Sequence, residues 1–263
     1  MDPLTILGAL GGLWVLNKVR GWIFHGRKSE EGGEVTSKTV GDTPSGPDES
    51  SATKMDPPRQ SEVIGYLRSR QPADYEGAKG DMSLRGEPGI YAWYFDSIPE
   101  NLRTEECHWI GKWALLYVGK AKSLRARILR DHFKGNAEGS TLRLTLGCLL
   151  MTELDIRLGR TQPREDGKKG RWTFGSAGEE KLTRWMLTHA RVTWASLRDG
   201  SIHWPLDATP RSDDDVVHEV EGDLIRRLYL PLNVDRNRAG VAIEATRVRE
   251  ACKRAAVVID DVS

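Results

Sequence analysis

Between residues 26 and 60 the hydrophobic pattern stops, and Gly, Ser, Thr and mixed charges alternate with Pro44, Pro47, Pro57 and Pro58. Such a stretch reads as a flexible tether, because it has too few apolar side chains to offset the entropy of ordering. It divides the chain. Whatever precedes residue 26 acts at a distance, and a core has to come from residues 61–258, enough for one domain. The whole-chain balance of 39 Lys+Arg against 38 Asp+Glu says nothing about partners. Cys107, Cys148 and Cys252 lie far apart, without the paired spacing of a zinc knuckle or a redox couple, so a reducing cytoplasmic setting is expected.

Leu4–Leu16, LTILGALGGLWVL, carries no charge. As a helix it reaches about 20 Å, short of a hydrocarbon core of about 30 Å. Asp2 precedes the run while Lys18, Arg20, Arg27 and Lys28 follow it, the reverse of a secretory signal. That order keeps the bulk of the chain cytoplasmic if the segment meets a membrane. Residues 1–25 are therefore expected to form an apolar helix, with these readings open for residues 4–24: a membrane anchor or interfacial helix, a soluble or partner-docking helix, or a mis-called start.

From Ser61 the pattern returns. Glu62–Arg70 reads as a short helix. Gly89–Phe95, GIYAWYF, follows Pro88 and is aromatic-rich, which favours a strand, and Ala114–Val118 is a second apolar run ended by Gly119. Ser123 is placed to start a helix through about Phe133, and Thr141–Met151 reads as another, with Ser140 or Thr141 as its cap. Residues 159–178 read as a Gly- and charge-rich loop. Glu179–His189 is helical, Val192–Leu197 strand-like, Asp213–Tyr229 an amphipathic helix stopped by Pro231, and Ala242–Val258 a last helix. The expected fold class is mixed α/β (α+β), a short sheet with helices around it.

Charge is unevenly spread. Residues 111–171 carry 14 basic groups against 6 acidic, while both flanks are net acidic. A basic middle suits either a polyanion-binding face or a solvated surface. On a helical wheel Glu221 falls within the apolar arc of Val217, Val220, Leu224, Ile225 and Leu228. A carboxylate there needs a cation or donors, as a structural ion pair or as a metal or catalytic site. Arg127, at the rim of the arc formed by Leu124, Ile128 and Phe133, can reach a phosphate while its stem packs.

Gly89-Ile90-Tyr91, Tyr117-Val118-Gly119-Lys120, Arg127, Glu221 and Pro231-Leu232-Asn233 follow one another in an order that resembles a GIY-YIG nuclease domain over residues 88–238. The resemblance implies a small three-stranded antiparallel sheet flanked by helices, and metal-dependent hydrolysis of DNA phosphodiester bonds. It implies Tyr91, Tyr117, Arg127 and Glu221 as catalytic residues, with one tyrosine, Tyr91 preferred, activating the attacking water. Arg127 would bind the scissile phosphate. Glu221 would hold a divalent metal, Mg²⁺ or alternatively Mn²⁺, and no small-molecule cofactor is expected. Gly119 would let substrate approach the backbone, Lys120 would assist the phosphate or the nucleophile, and Asn233 would orient groups around the cleft.

The sequence departs from the family in the long connection between Tyr91 and Tyr117 and in the expansion of residues 134–190. His132 falls one residue later than the usual pattern, and two readings stand: a helix-face histidine satisfied by a neighbour, which is preferred, or an additional cleft residue. Arg143 and Lys168–Arg171 could extend a DNA track, and Trp172 is read as core packing, with stacking on a base as the alternative. The opposing class is a non-catalytic nucleic-acid-binding or membrane-tethered scaffold on the same fold. No feature specifies the DNA target or an oligomeric state.

Overall fold

Helix α1, Arg59–Ser69, opens the structure two residues inside the expected tether. The structure is a computed structural model that describes residues 59–100, 102–163, 170–200 and 212–258. The apolar segment 4–24, the tether through residue 58, and Lys168 and Lys169 lie outside the described residues. Among the described residues no helix is long and apolar enough to cross a membrane.

After α1 come helix α2, Tyr75–Gly80, strand β1, Gly89–Phe95, the two-residue β2, Trp109–Ile110, and β3, Trp113–Ala121. A π-helix, Ala126–Phe133, precedes α3, Thr141–Leu149, and α4, Met151–Leu154. Strands β4, Gly159–Arg160, and β5, Trp172–Thr173, lead to α5, Gly175–His189, and β6, Ala190–Ser196. Helices α6, Asp213–Arg227, and α7, Ile243–Ala255, and strand β7, Val257–Val258, complete the order. The main sheet runs β2-β3-β1-β6 and is antiparallel throughout. Its three long strands are the expected ones. The fourth, β2, comes from the long connection before Tyr117, where Gly111 takes the left-handed φ of 59° that a two-residue hairpin turn needs.

Strand β1 is buried along its whole length because the sheet is covered on both faces. One face packs Ile90, Tyr94, Leu115 and Val118 against Val63 and Leu67 of α1 and Val217, Val220 and Leu224 of α6. The other packs Tyr91, Trp93, Phe95 and Tyr117 against Ile128 and Phe133 of the π-helix, Leu142 and Leu146 of α3, and Leu182 and Met186 of α5. A bulge breaks the register between β1 and β3, with Tyr94 opposite Leu115 but Trp93 opposite Tyr117. The extra residue, Leu116, turns Tyr117 onto the face that carries Tyr91.

Helix α6 starts as its sequence suggests. Ser212 and Asp215 form a reciprocal capping box, three aspartates occupy the first turn, and Arg226 and Arg227 sit in the last. The expanded region holds more structure than expected. Strands β4 and β5 emerge from the stretch read as a loop, and the last helix stops at Ala255 so that β7 can pair parallel with β4. Trp172 is half-buried beneath the Arg160 guanidinium, whose central carbon lies 4.0 Å from the ring centre.

Candidate active site

Because β2 covers only the start of β3, the later part of that strand has a free edge. Residues near the end of α6 and in the turn after it occupy that edge. Leu232 donates its N–H to the Leu116 carbonyl at 3.1 Å. The Asn233 amide grips Val118 from both sides, accepting from its N–H at 2.9 Å and donating to its carbonyl at 2.7 Å. Glu221 Oε1 accepts the Lys120 N–H at 3.1 Å. The Glu221-to-Asn233 element thus serves as an irregular edge strand, which explains why a carboxylate belongs in the apolar arc of α6. Asn233 is 5% exposed and holds the backbone around Tyr117 and Gly119 in place.

Tyr91 lies opposite Gly119 in the β1–β3 ladder. A Cβ on Gly119 would stand 2.4 Å from the Tyr91 hydroxyl oxygen, so this glycine makes room for the tyrosine. The same hydroxyl meets Nε2 of His132 at 2.7 Å and accepts from Nε of Arg127 at 3.4 Å. Tyr117 stacks beside Tyr91, ring centres 6.4 Å apart, and the two hydroxyls lie near enough to influence each other's ionisation. Burial pushes the Tyr91 hydroxyl up to about 12, against the opposing pull of Arg127. Burial, then Tyr91 and Glu221, hold Tyr117 well above its ordinary value.

His132 is the main addition to the sequence reading. It is fully buried, and its Nδ1 contacts Ser140 Oγ at 2.7 Å. Burial first, then the Arg127 and Arg143 cations, keep the imidazole well below its usual pKa, so it is neutral at physiological pH. In an α-helix Arg127 and His132 would not share a face, but the wider π-turn brings residues five apart into line. The one-residue offset of His132 was the available signal, and the π-helix absorbs it.

Arg127 also donates to the Gly139 carbonyl at 2.6 Å and pairs with Asp131 at 3.6 Å. Lys120 Nζ pairs with Asp214 at 2.9 Å. With Lys122 and Arg130, these two cations line a cavity of about 330 Å³. Its neighbour, about 250 Å³, is lined by Tyr117, Thr141, Glu221, Asn233, Asp235 and Arg236. Lys120, which lines the larger cavity, is bonded through its N–H to Glu221, which lines the smaller.

Arg143 is a correction. Expected on a DNA track, it is 0% exposed, because its guanidinium closes the end of the π-helix. Nη1 donates to the His132 and Phe133 carbonyls at 3.1 and 3.2 Å, and Nη2 pairs with Glu179 at 2.9 Å. It supports His132 from behind. Arg171, expected on the same track, is bound to Glu138 at 2.8 Å.

Glu221 has the features of a carboxylate that could hold a cation. Burial raises its pKa, opposed by the Lys120 N–H and then by Lys120, Arg236 and His218. Its second oxygen faces the smaller cavity, with Arg236 Nη1 at 3.8 Å. No group of three or more His, Cys, Asp or Glu fit to cage a metal occurs among the described residues. One protein carboxylate completed by water and phosphate oxygens suits Mg²⁺, which keeps much of its hydration.

Comparison with curated proteins and with solved structures gave no match. The family model described as the GIY-YIG catalytic domain matches residues 89–254, more than half of the chain and every residue of the cluster around Tyr91. With its paired tyrosines on β1 and β3 and an arginine and a glutamate brought beside those strands, the chain belongs to the GIY-YIG family.

Proposed function

We propose that this GIY-YIG nuclease hydrolyses DNA phosphodiester bonds with a divalent cation held by Glu221. The observation that carries the reading is the line of groups from Tyr117, at the wall of the Glu221 cavity, through the Tyr91 hydroxyl to the buried neutral imidazole of His132. Neither tyrosine is ionised at neutral pH, so a relay serves better than a preformed phenolate. Tyr117 is 8% exposed and Tyr91 only 1%, so the Tyr117 hydroxyl takes the water's proton as it gives its own to the Tyr91 oxygen, and Tyr91 in turn gives its proton to His132 Nε2. This reverses the sequence preference for Tyr91 as the group that meets the water. With Nε2 as acceptor, the Nδ1 proton is directed at Ser140 Oγ.

Arg127 has two effects in this scheme. It binds the phosphate and offsets charge in the transition state. Its cation also depresses His132. A phosphate on Arg127 relieves that depression, so the imidazole becomes a better proton acceptor once substrate is in place. The cation on Glu221 would supply further positive charge toward the phosphate oxygens and the attacking water. Lys120, Lys122 and Arg130 form the basic rim that receives the strand.

The test is nicking of supercoiled plasmid by the full chain, with Mg²⁺ or Mn²⁺ and with chelator, comparing wild type and Glu221→Gln. The expected result is metal-dependent conversion to open circles, absent from the variant. Cleavage that persists in pure Glu221→Gln protein would overturn the role of Glu221. Salt-sensitive DNA binding with no cleavage of plasmid or branched DNA under any metal would favour the non-catalytic binding module.

A further inference from the structure

Arg236 has a backbone φ of 61°, a left-handed conformation that side chains other than glycine and asparagine rarely adopt. The strain is held from both sides. Asn233 is bonded to Val118, while the Asn237 amide donates to the Leu230 carbonyl at 2.7 Å and to the Asn233 carbonyl at 3.0 Å. Between these clamps the Arg236 side chain reaches back over α6. Its Nη1 stands 3.3 Å from His218 Nδ1 and 3.8 Å from Glu221 Oε2, at the wall of the Glu221 cavity.

Stability does not account for this placement. The side chain is 47% exposed, and an ion pair that open and that long contributes little. The turn itself is held by the Asn233 and Asn237 bonds, while the exposed contacts of the Arg236 side chain with Glu221 and His218 add little to the fold. Arg127 lines the neighbouring cavity, and the two cavities are linked by the bond from Lys120 of one to Glu221 of the other.

We propose that Arg236 is a second phosphate-binding arginine of the site, parked beside Glu221 until a nucleic-acid phosphate enters the cavity and takes over its guanidinium. Arg236 then contacts the strand on the Glu221 side while Arg127 contacts it from the π-helix. This rests on the nuclease reading above and adds a residue that the family pattern in this sequence does not single out. The planar guanidinium suits the role, since it can engage two phosphate oxygens at once.

The experiment uses the full chain as wild type, Arg236→Gly, Arg236→Ala and Arg236→Lys, with a short DNA duplex in chelator across a salt series. Arg236→Gly removes the cation and relieves the backbone, so its melting temperature should equal or exceed that of wild type. Its affinity should fall about three- to tenfold at low salt, with a salt slope shallower by about one. Arg236→Ala should lose the same slope, and Arg236→Lys should keep the slope while losing part of the affinity. Wild-type affinity and slope in both the glycine and alanine variants would overturn the proposal and leave the nuclease reading intact. A wild type with no salt-dependent DNA binding would overturn both.

Discussion

His132 stands one π-turn beyond Arg127, and the two side chains converge on the same hydroxyl, that of Tyr91, at 2.7 and 3.4 Å. Ile128 and Phe133, also five apart, are both fully buried, so the wide turn serves the core as well as the site. Deleting Arg130, an exposed residue inside the turn, would leave each pair four apart, the spacing of an α-helix. The ΔArg130 protein is expected to melt within roughly 4 °C of wild type and to cleave within about tenfold of it. Circular dichroism melts and the nicking assay check this. Loss of the folded state would show that the π-turn is held by more than these two pairs.

Protonation of His132 gives a pH dependence of fixed sign. Its pKa is depressed in the folded protein by burial and by Arg127 and Arg143, so below about 6.5 the unfolded chain binds a proton that the folded chain refuses. Stability should therefore fall as pH drops from 7 toward 5. The contribution is at most about 1.4 kcal/mol per pH unit. In His132→Gln that contribution disappears, and urea titrations at several pH values should show the shallower slope.

Glu221 has the opposite linkage. Its pKa is raised by burial, so its contribution to stability is present at low pH and lost as pH rises through the folded value. Glu221→Gln keeps an oxygen for the Lys120 N–H and removes the buried charge. The variant should melt roughly 2 °C or more above wild type at neutral pH while losing cleavage by at least about a hundredfold. A variant that is inactive because it melts lower would contradict this account.

Gly119→Ala places a methyl against a hydroxyl that cannot retreat, since Tyr91 is held by His132 and Arg127. Overpacking of this kind costs about 1–3 kcal/mol. A lower melting temperature together with impaired cleavage is expected. An unchanged protein would mean that Tyr91 has room to move.

Arg143→Ala separates a structural arginine from a DNA contact. It leaves the half-buried Glu179 without its cation and frees the carbonyls of His132 and Phe133, at an expected cost of about 2–4 kcal/mol. The folded fraction should bind DNA within about twofold of wild type, measured by gel shift at low temperature.

Strand β1 and helix α6 were legible because each follows a rule that short sequence windows obey: an aromatic run after Pro88, and an apolar arc with acidic residues at its start. The placement of Tyr91, Arg127, Glu221 and Asn233 beside strands β1 and β3 follows the family order in which the sequence presents them. Arg143 was misplaced because charge counting treats a buried guanidinium like an exposed one, and its partner Glu179 lies in another helix. His132 was given second place because its one-residue offset breaks α-helical spacing from Arg127, and sequence alone does not announce the π-turn that restores it. The strands β2, β4, β5 and β7 have two residues each, too few to show an alternating pattern. Arg236 was missed because its importance lies in a backbone angle.

The brevity of β2 has a wider consequence. An uncovered strand edge invites another chain to add to the sheet. Here Leu116, Val118 and Lys120 are blocked by Leu232, Asn233 and Glu221, so the groups assigned to chemistry also keep the edge closed. A descendant that abandoned catalysis and let Glu221 and Asn233 drift to apolar residues would expose a sticky edge before it gained a new role. Self-association would then select for the old residues even after their reaction had ceased to matter.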